Sequence, residues 1–373
     1  MSKYKVIVYA ISKNEEKFVD RWAKSMAEAD GIYVCDTGSD DNTVTALREH
    51  NINVKEIKVE PWRFDTARNI SLDFVPNDTD ICVCTDLDEV FEQGWRKELE
   101  KYWTSDTTRA KYEYTWSFDK NGNPSTVFLA EKIHSRKNFK WVHPVHEILE
   151  YSGNRDKYVY LPEVKLYHYP DNTKSRGQYL KLLEQSVVET PDDDRNVHYL
   201  GREYMFYGQW DKCINTLKRH IEMPSSQWND ERCASMRYIA RAYKAKGNYY
   251  ESDIWYLRAI AEAPYLREPY VEAAQNAYEE SKWEKVYYLL TEAMKITTRP
   301  LTYINEEYCW GSLPYDLLSI AAYNLELYEK ALTYSKKASE LNPNDNRIKE
   351  NIKIIEQAKI SLAHNNSIIP QNS

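Results

Sequence analysis

Two aspartates one residue apart close a short apolar run, Ile81-Cys82-Val83-Cys84-Thr85-Asp86-Leu87-Asp88-Glu89. Such a run bounded by polar residues reads as a buried strand. If the backbone stays extended past it, side chains two apart share a side, so Asp86 and Asp88 point the same way. Carboxylates that close repel unless a cation lies between them. Hard oxygen donors suit Mg²⁺ or Mn²⁺, which fill their remaining positions with water and phosphate oxygens. The competing reading makes either aspartate the cap of a helix starting near Val90. Other polar groups cluster in the same way. Ser12-Lys13-Asn14-Glu15 follows the apolar run 5–11, and Asp36-Thr37-Gly38-Ser39-Asp40-Asp41-Asn42-Thr43 follows the run 31–35. Four of the eight histidines, His134, His143, His146 and His168, fall in one short stretch. Imidazole serves metals and proton transfer, though any single histidine more often has a structural role.

Strands and helices must alternate to hold these clusters. Strand candidates at 5–11, 31–35, 53–57 and 81–85 are separated by helical patterns at 18–26, 44–50 and 64–74. That alternation predicts a parallel sheet covered on both faces. Ligands of such sheets bind beyond the carboxyl ends of the strands. The clusters at Ser12, Asp36 and Asp86 each lie at one of those ends. A hairpin is expected from 110–118 and 127–133, followed by strands at 159–161 and 164–168. No Gly-x-Gly-x-x-Gly and no Gly-x-x-x-x-Gly-Lys is present, which disfavours dehydrogenases and P-loop kinases.

In order and content these pieces resemble glycosyltransferase family 2, whose nucleotide-sugar domain has the GT-A fold. The residues that carry the resemblance are Ser12-Lys13-Asn14-Glu15, Asp36 to Thr43, Trp62-Arg63-Phe64-Asp65-Thr66-Ala67-Arg68-Asn69, Asp86-Leu87-Asp88 and Trp141…Val145-His146-Glu147. The tryptophan boxes are similar to the branch that includes bacterial lipopolysaccharide-core glucosyltransferases. The resemblance covers roughly residues 1–170. It implies a UDP-sugar donor, with Ser12 and Glu15 lining the uridine pocket and Asp36 bonding the uracil ring. Asp65, Arg68 and Trp141 would border the nucleotide, Arg68 near phosphate or sugar. Asp86 would reach ribose or the metal, Asp88 would ligate Mn²⁺ or Mg²⁺, and His168 would complete the metal site. Glu147, or else His146, would be the base of an inverting transfer. The plainer roles stay beside these: Asp36 as a turn cap, Arg68 in a surface salt bridge, and Trp141 or Trp116 packed in the core rather than stacked on a sugar.

From about residue 177 to 362 helical periodicity dominates, and a repeat emerges. Gly208-Gln209-Trp210, Gly247-Asn248-Tyr249, Ser281-Lys282-Trp283 and Glu326-Leu327-Tyr328 place an aromatic two residues past each turn. His220, Ala259, Ala293 and Ala338 occupy one common position within the units. His220 departs from the small residues there and suggests a looser first repeat. The last unit resembles a tetratricopeptide helix. Helical hairpins of this kind stack into a solenoid with a concave surface. That surface would hold a peptide, buttress the transferase domain or form a homodimer. A GT-A domain with such a tail resembles bacteriocin S-glycosyltransferases, which implies a protein or peptide acceptor; a lipid-linked or polysaccharide acceptor is the alternative. The expected domains are 1–170, a linker and helix at 171–195, repeats at 196–362 and a flexible tail at 363–373, with 170–176 as a connection.

Composition removes other classes. With 50 Lys+Arg against 58 Asp+Glu the net charge is −8, which argues against nucleic acid as a partner. No leader-like apolar region and no run of membrane-spanning length is seen. The six cysteines lack Cys-x-x-Cys spacing and read as buried thiols of a cytoplasmic protein. Two rivals remain. One is a repeat scaffold whose transferase domain is inactive, against which Asp86 and Asp88 speak. The other is a nucleotidyltransferase, which would call for a glycine-rich basic loop where Ser12-Lys13-Asn14-Glu15-Glu16 stands.

Overall fold

The structure, a computed structural model, describes residues 3–171 and 177–368, with side chains to residue 361. Residues 172–176 of the expected connection and 369–373 of the expected tail lie outside the described residues. The chain divides into two compact units. One runs through Glu189 and includes Leu301–Tyr303; the other comprises Thr190–Pro300 and the chain from Ile304 onward.

The first unit alternates as expected: β1 (Val6–Ser12), α1 (Glu16–Met26), β2 (Gly31–Asp36), α2 (Thr43–Glu49), β3 (Asn53–Glu56), α3 (Phe64–Phe74), β4 (Ile81–Cys84). There follow β5 (Glu89–Phe91), α4 (Trp95–Tyr102), β6 (Arg109–Phe118), β7 (Pro124–Ser135), β8 (Phe139–Val142), β9 (Ile148–Tyr151), β10 (Tyr158–His168) and α5 (Tyr179–Glu189). Among the described residues one sheet has the order β3-β2-β1-β4-β7-β6-β10-β5. β3, β2, β1 and β4 are mutually parallel, whereas β7 runs antiparallel to β4 and β6.

Alternation along the central strands explains their burial on both faces. Val6, Val8 and Ala10 of β1, with Ile81 and Val83 of β4, pack on Phe18, Val19, Trp22 and Met26 of α1. Ile7 and Tyr9, with Cys82 and Cys84, face Leu72, Val75 and Trp141 on the other side. The six cysteines are all free and buried.

Neither expectation for the backbone at Asp86 holds. β4 stops at Cys84, residues 87–88 form a turn, and the Glu89 N–H donates to the Asp86 carbonyl at 3.0 Å. The chain then enters β5, not a helix, because β5 pairs antiparallel with β10 and sets Glu89 opposite His168. The two strands expected at 159–168 are the single strand β10, with a register shift between Leu161 and Lys165. Pro162 lies in that interval and has no N–H to give the ladder. The small sheet β8–β9 was not expected, and its loop carries His143 and His146 at φ +77° and +51°. The boundary near 170 also moves. α5 belongs to the first unit, where Tyr179 packs on Phe64 and His146, and Glu189 accepts from Arg63 Nη1 at 2.6 Å.

The second unit is helical: α6 (Asp194–Phe206), α7 (Trp210–Glu222), α8 (Asn229–Ala245), α9 (Tyr249–Glu262), α10 (Glu268–Glu279), α11 (Trp283–Lys295), α12 (Leu313–Asn324), α13 (Tyr328–Leu341) and α14 (Asn346–Ile368). All four turn positions of the sequence repeat are left-handed: Gly208, Gly247, Ser281 and Glu326 at φ +66°, +76°, +55° and +60°. Each is followed by a residue whose N–H reaches back to the last turn of the helix, as in Gln209 to Tyr204 and Leu327 to Ala322. This is the glycine-type helix stop, made twice without glycine. The paired aromatics Trp210, Tyr249, Trp283 and Tyr328 each open the next helix. His220, Ala259, Ala293 and Ala338 are all fully buried, so the histidine does not loosen the first repeat. No helix among the described residues is long and apolar enough to cross a membrane.

Candidate functional site

The carboxyl ends of β1, β2 and β4 lie side by side in the sheet, and the polar clusters beyond them organise one another. Ser12 and Asp36 are register partners, and Ser12 Oγ donates to Asp36 Oδ2 at 2.9 Å. The buried Asp36 carboxylate also accepts from the N–H groups of Gly38 and Ser39 at 3.0 and 2.9 Å and from the Ser39 hydroxyl at 2.5 Å. Its oxygens are therefore committed to the turn, and Gly38 at φ +99° allows that turn. Glu15, at the start of α1, donates its N–H to Thr43 Oγ1 at 2.8 Å, and Asn14 bonds Ser39 and Asp40. The two loops thus form one hydrogen-bonded rim.

On α3, Asp65 is buried and held by a fork from Arg63 at 3.0 and 2.8 Å. Arg68, one turn on, reaches inward and is 7 % exposed. Its guanidinium donates to Glu147 through Nε, to Cys84 Sγ at 3.4 Å through Nη1 and to Asp86 Oδ1 at 2.9 Å through Nη2. It is not in a surface salt bridge. Its flat face lies 5.1 Å from the Trp141 ring. Trp141 itself is buried, donates Nε1–H to Tyr9 Oη at 2.9 Å and exchanges two backbone bonds with the Asn69 amide. It supports Arg68 from below and packs in the core.

Asp86 sits between two cations, since its Oδ2 accepts from Lys132 Nζ at 3.2 Å. Burial opposes ionisation there, but Arg68 and Lys132 together hold its carboxyl well below the usual carboxylate range. Lys132 also donates to Glu89 Oε1 at 2.7 Å. Glu89 is fully buried and accepts from Tyr114 Oη at 2.8 Å and from the Asp86 N–H at 2.9 Å. Burial and the nearby Asp86 charge push the Glu89 carboxyl up. Lys132 and Glu89 were not singled out by the sequence.

Asp88 has a different partner. Its Oδ2 lies 3.3 Å from His168 Nε2 at the end of β10. His168 Nδ1 is 3.0 Å from the Trp116 carbonyl, an acceptor only, so this nitrogen carries the proton. The ring stacks on Trp116 with centroids 4.3 Å apart, and the tryptophan stays half exposed. Burial lowers the His168 pKa, but the neighbouring Asp88 and the Trp116 carbonyl raise it above the ordinary value. A carboxylate facing an imidazole fixed in this tautomer fits a divalent ion, and an acceptor on the second nitrogen is how ligating histidines are oriented. Asp86 does not complete a three-ligand group with this pair among the described residues.

The histidine cluster divides by role. His134 is buried and ends a chain in which Trp141 donates to Tyr9, Tyr9 to His134 Nε2 at 2.8 Å, and His134 Nδ1 to the Ser135 carbonyl at 2.8 Å. Burial pushes its pKa down to about 3, so it is a neutral structural link. His146 packs edge-on to Tyr179 beside Glu147, whose carboxylate is taken by Arg68.

Residues 7–150 match the family model for glycosyl transferase family 2. That segment is a glycosyl transferase family 2 domain. The transferase domain includes every expected site residue except His168. No curated protein matches the chain. Similar solved structures overlie part of the chain. They include the Cut9–Hcn1 hetero-tetramer of the APC/C (TM-score 0.39, 14 % identity, 49 % of this chain), of which the match spans only 33 %. Others are YrrB, a tetratricopeptide protein with an unusual peptide-binding site (0.39, 11 %, 48 % of this chain and 83 % of that one), and MamA (0.35, 15 %, 45 % and 83 %).

Proposed function

We propose that the transferase domain moves a hexosyl group from a UDP-sugar to a polypeptide acceptor, with inversion and with Mn²⁺ or Mg²⁺ at Asp88 and His168. The observation that carries this reading is the Asp88–His168 pair, an oxygen and a nitrogen donor meeting at 3.3 Å beyond the strand ends of a glycosyl transferase family 2 domain. A divalent ion held there would offset charge on the diphosphate leaving group. Arg68 supplies a second, fixed positive charge for the same purpose. It bonds Asp86 and Glu147 at once, so diphosphate oxygens compete with Glu147 for its fork. Once relieved of Arg68, Glu147 takes the proton from the acceptor as it attacks the anomeric carbon. The base is thereby tied to donor occupancy, which limits futile hydrolysis. Asp86, kept ionised by Arg68 and Lys132, is suited to bond the ribose hydroxyls. The helical repeats support a polypeptide acceptor, because a stacked-hairpin surface fits an extended chain.

The test is donor hydrolysis and transfer with a panel of sugar nucleotides, with and without Mn²⁺. Turnover of a UDP-hexose that needs Mn²⁺ and falls about 10²-fold or more in Asp88→Ala is the expected outcome. Binding of no sugar nucleotide would remove the reading, and full turnover in Asp88→Ala would remove the metal assignment alone.

A further inference from the structure

His220 stands where the other repeats have alanine, and transfer chemistry gives it no role. It lies on α7, fully buried. His198 of α6 and Glu231 of α8, also buried, reach the same point, and one donor atom from each of the three lies within 4.8 Å of the others. We propose that His198, His220 and Glu231 form a structural Zn²⁺ site that ties the first three helices of the repeat unit together.

Hydrogen-bond accounting supports a ligand there. Ser235 Oγ lies 2.8 Å from His198 Nδ1 and 2.9 Å from His220 Nδ1. A hydroxyl has one proton, so it donates to one ring and accepts from the other. His220 Nε2 lies 3.4 Å from the Glu231 carboxylate, an acceptor only, and 3.1 Å from the Ser226 hydroxyl, which can accept as well. With a proton on that nitrogen, facing the carboxylate, His220 Nδ1 accepts the Ser235 proton and His198 donates its Nδ1–H to Ser235. In either tautomer His198 Nε2 is without a hydrogen-bond partner among the described residues in a fully buried ring, and in this one it is a bare lone pair. Buried polar atoms without partners are rare and call for an explanation such as an ion. An imidazole whose Nδ1–H is held and whose Nε2 is bare is already oriented as a metal ligand.

The donor set selects the ion. Two imidazoles and one carboxylate suit Zn²⁺, whereas Mg²⁺ and Ca²⁺ prefer all-oxygen shells. The Ser226 hydroxyl, 3.1 Å from His220 Nε2, or a water supplies a fourth donor. Loading displaces the His220 Nε2 proton, and the ion then replaces hydrogen bonds that link the same helices.

The experiment uses the full chain carrying Asp88→Ala and His168→Ala, so that the transferase site cannot hold the metal. After chelation and refilling with one equivalent of Zn²⁺, elemental analysis should find about one zinc per chain, with a raised Tm. Co²⁺ in its place should give the strong visible absorption of a four-coordinate site. His198→Gln and Glu231→Gln, each added to that background, should lose the zinc and the Tm shift. Zinc below about a tenth of an equivalent in the background chain would overturn the proposal. So would full zinc retention in His198→Gln. Should both variants fail to fold, the zinc content, Co²⁺ spectrum and Tm response of the background chain decide alone.

Discussion

Arg68 is the residue on which the proposed transferase site turns, because one guanidinium holds a carboxylate from the β4 loop and another from the loop before β9. If Glu147 is the base, Glu147→Gln should lower kcat about 10²–10⁴-fold with little change in donor KM, while His146→Ala costs less than about tenfold. Steady-state kinetics on both variants checks this, and the reverse order would transfer the role to His146. A second prediction concerns pH. The folded pKa of metal-free His168 lies above its unfolded value, so its protonation stabilises the fold at low pH, and that contribution is lost as pH rises through the folded pKa. A divalent ion competes with this proton for Nε2. Mn²⁺ affinity should therefore rise about tenfold per pH unit below that pKa and level off above it. Calorimetric titration from pH 5.5 to 8.5 would show the slope, and a flat profile would take His168 out of the ligand set. The residue types of this site were legible because Asp86, Asp88, Arg68 and Glu147 sit in short ordered motifs. Their division of labour was not. Lys132 lies 46 positions from Asp86 on a strand whose polar residues look solvent-facing, and nothing local shows that it charges Asp86 from across the sheet. Glu89 read as the tail of the aspartate motif, though its register opposite His168 makes it the buried partner of Lys132.

At the scale of elements, what could be read was what is periodic. Strands buried on both faces betray themselves as apolar runs, and the helix stops betray themselves as turn residue, spacer and aromatic. β8 and β9 escaped because each is only four residues long and their loop is shaped by two left-handed histidines, which sequence periodicity does not register. The extended backbone expected through Asp88 failed for a tertiary reason, since pairing with β10 bends the chain at Leu87. The repeat stops give a clean stability prediction. Gly247 has φ +76°, and a Cβ added there would meet nothing within 4 Å. Gly247→Ala should then cost about 1–2 kcal/mol from backbone conformation alone. Urea unfolding of the repeat unit measures it, and a loss well under ~0.5 kcal/mol would mean that the turn relaxes out of the left-handed region. Ser281 and Glu326 already bear that strain in their own repeats, which shows that packing on either side can hold the stop without glycine.

For the whole molecule, the two compact units imply two cooperative transitions rather than one. Each has its own core: a sheet covered on both faces in one, stacked hairpins in the other. A ligand that binds one folded unit stabilises it by mass action, by about 2.7 kcal/mol at a hundredfold excess over Kd. The proposed UDP-sugar with Mn²⁺ should accordingly raise the transition of the transferase unit and leave that of the repeat unit in place. Gly247→Ala should do the converse and lower only the repeat transition. Calorimetric scans of the wild type and this variant, each with and without donor, separate the four cases. If donor moved both transitions together, the units would be energetically coupled, and the proposed acceptor binding by the repeats would then feed into donor affinity by reciprocity. Independent shifts would instead leave the proposed acceptor binding by the repeats to act only through effective concentration, without altering the donor site.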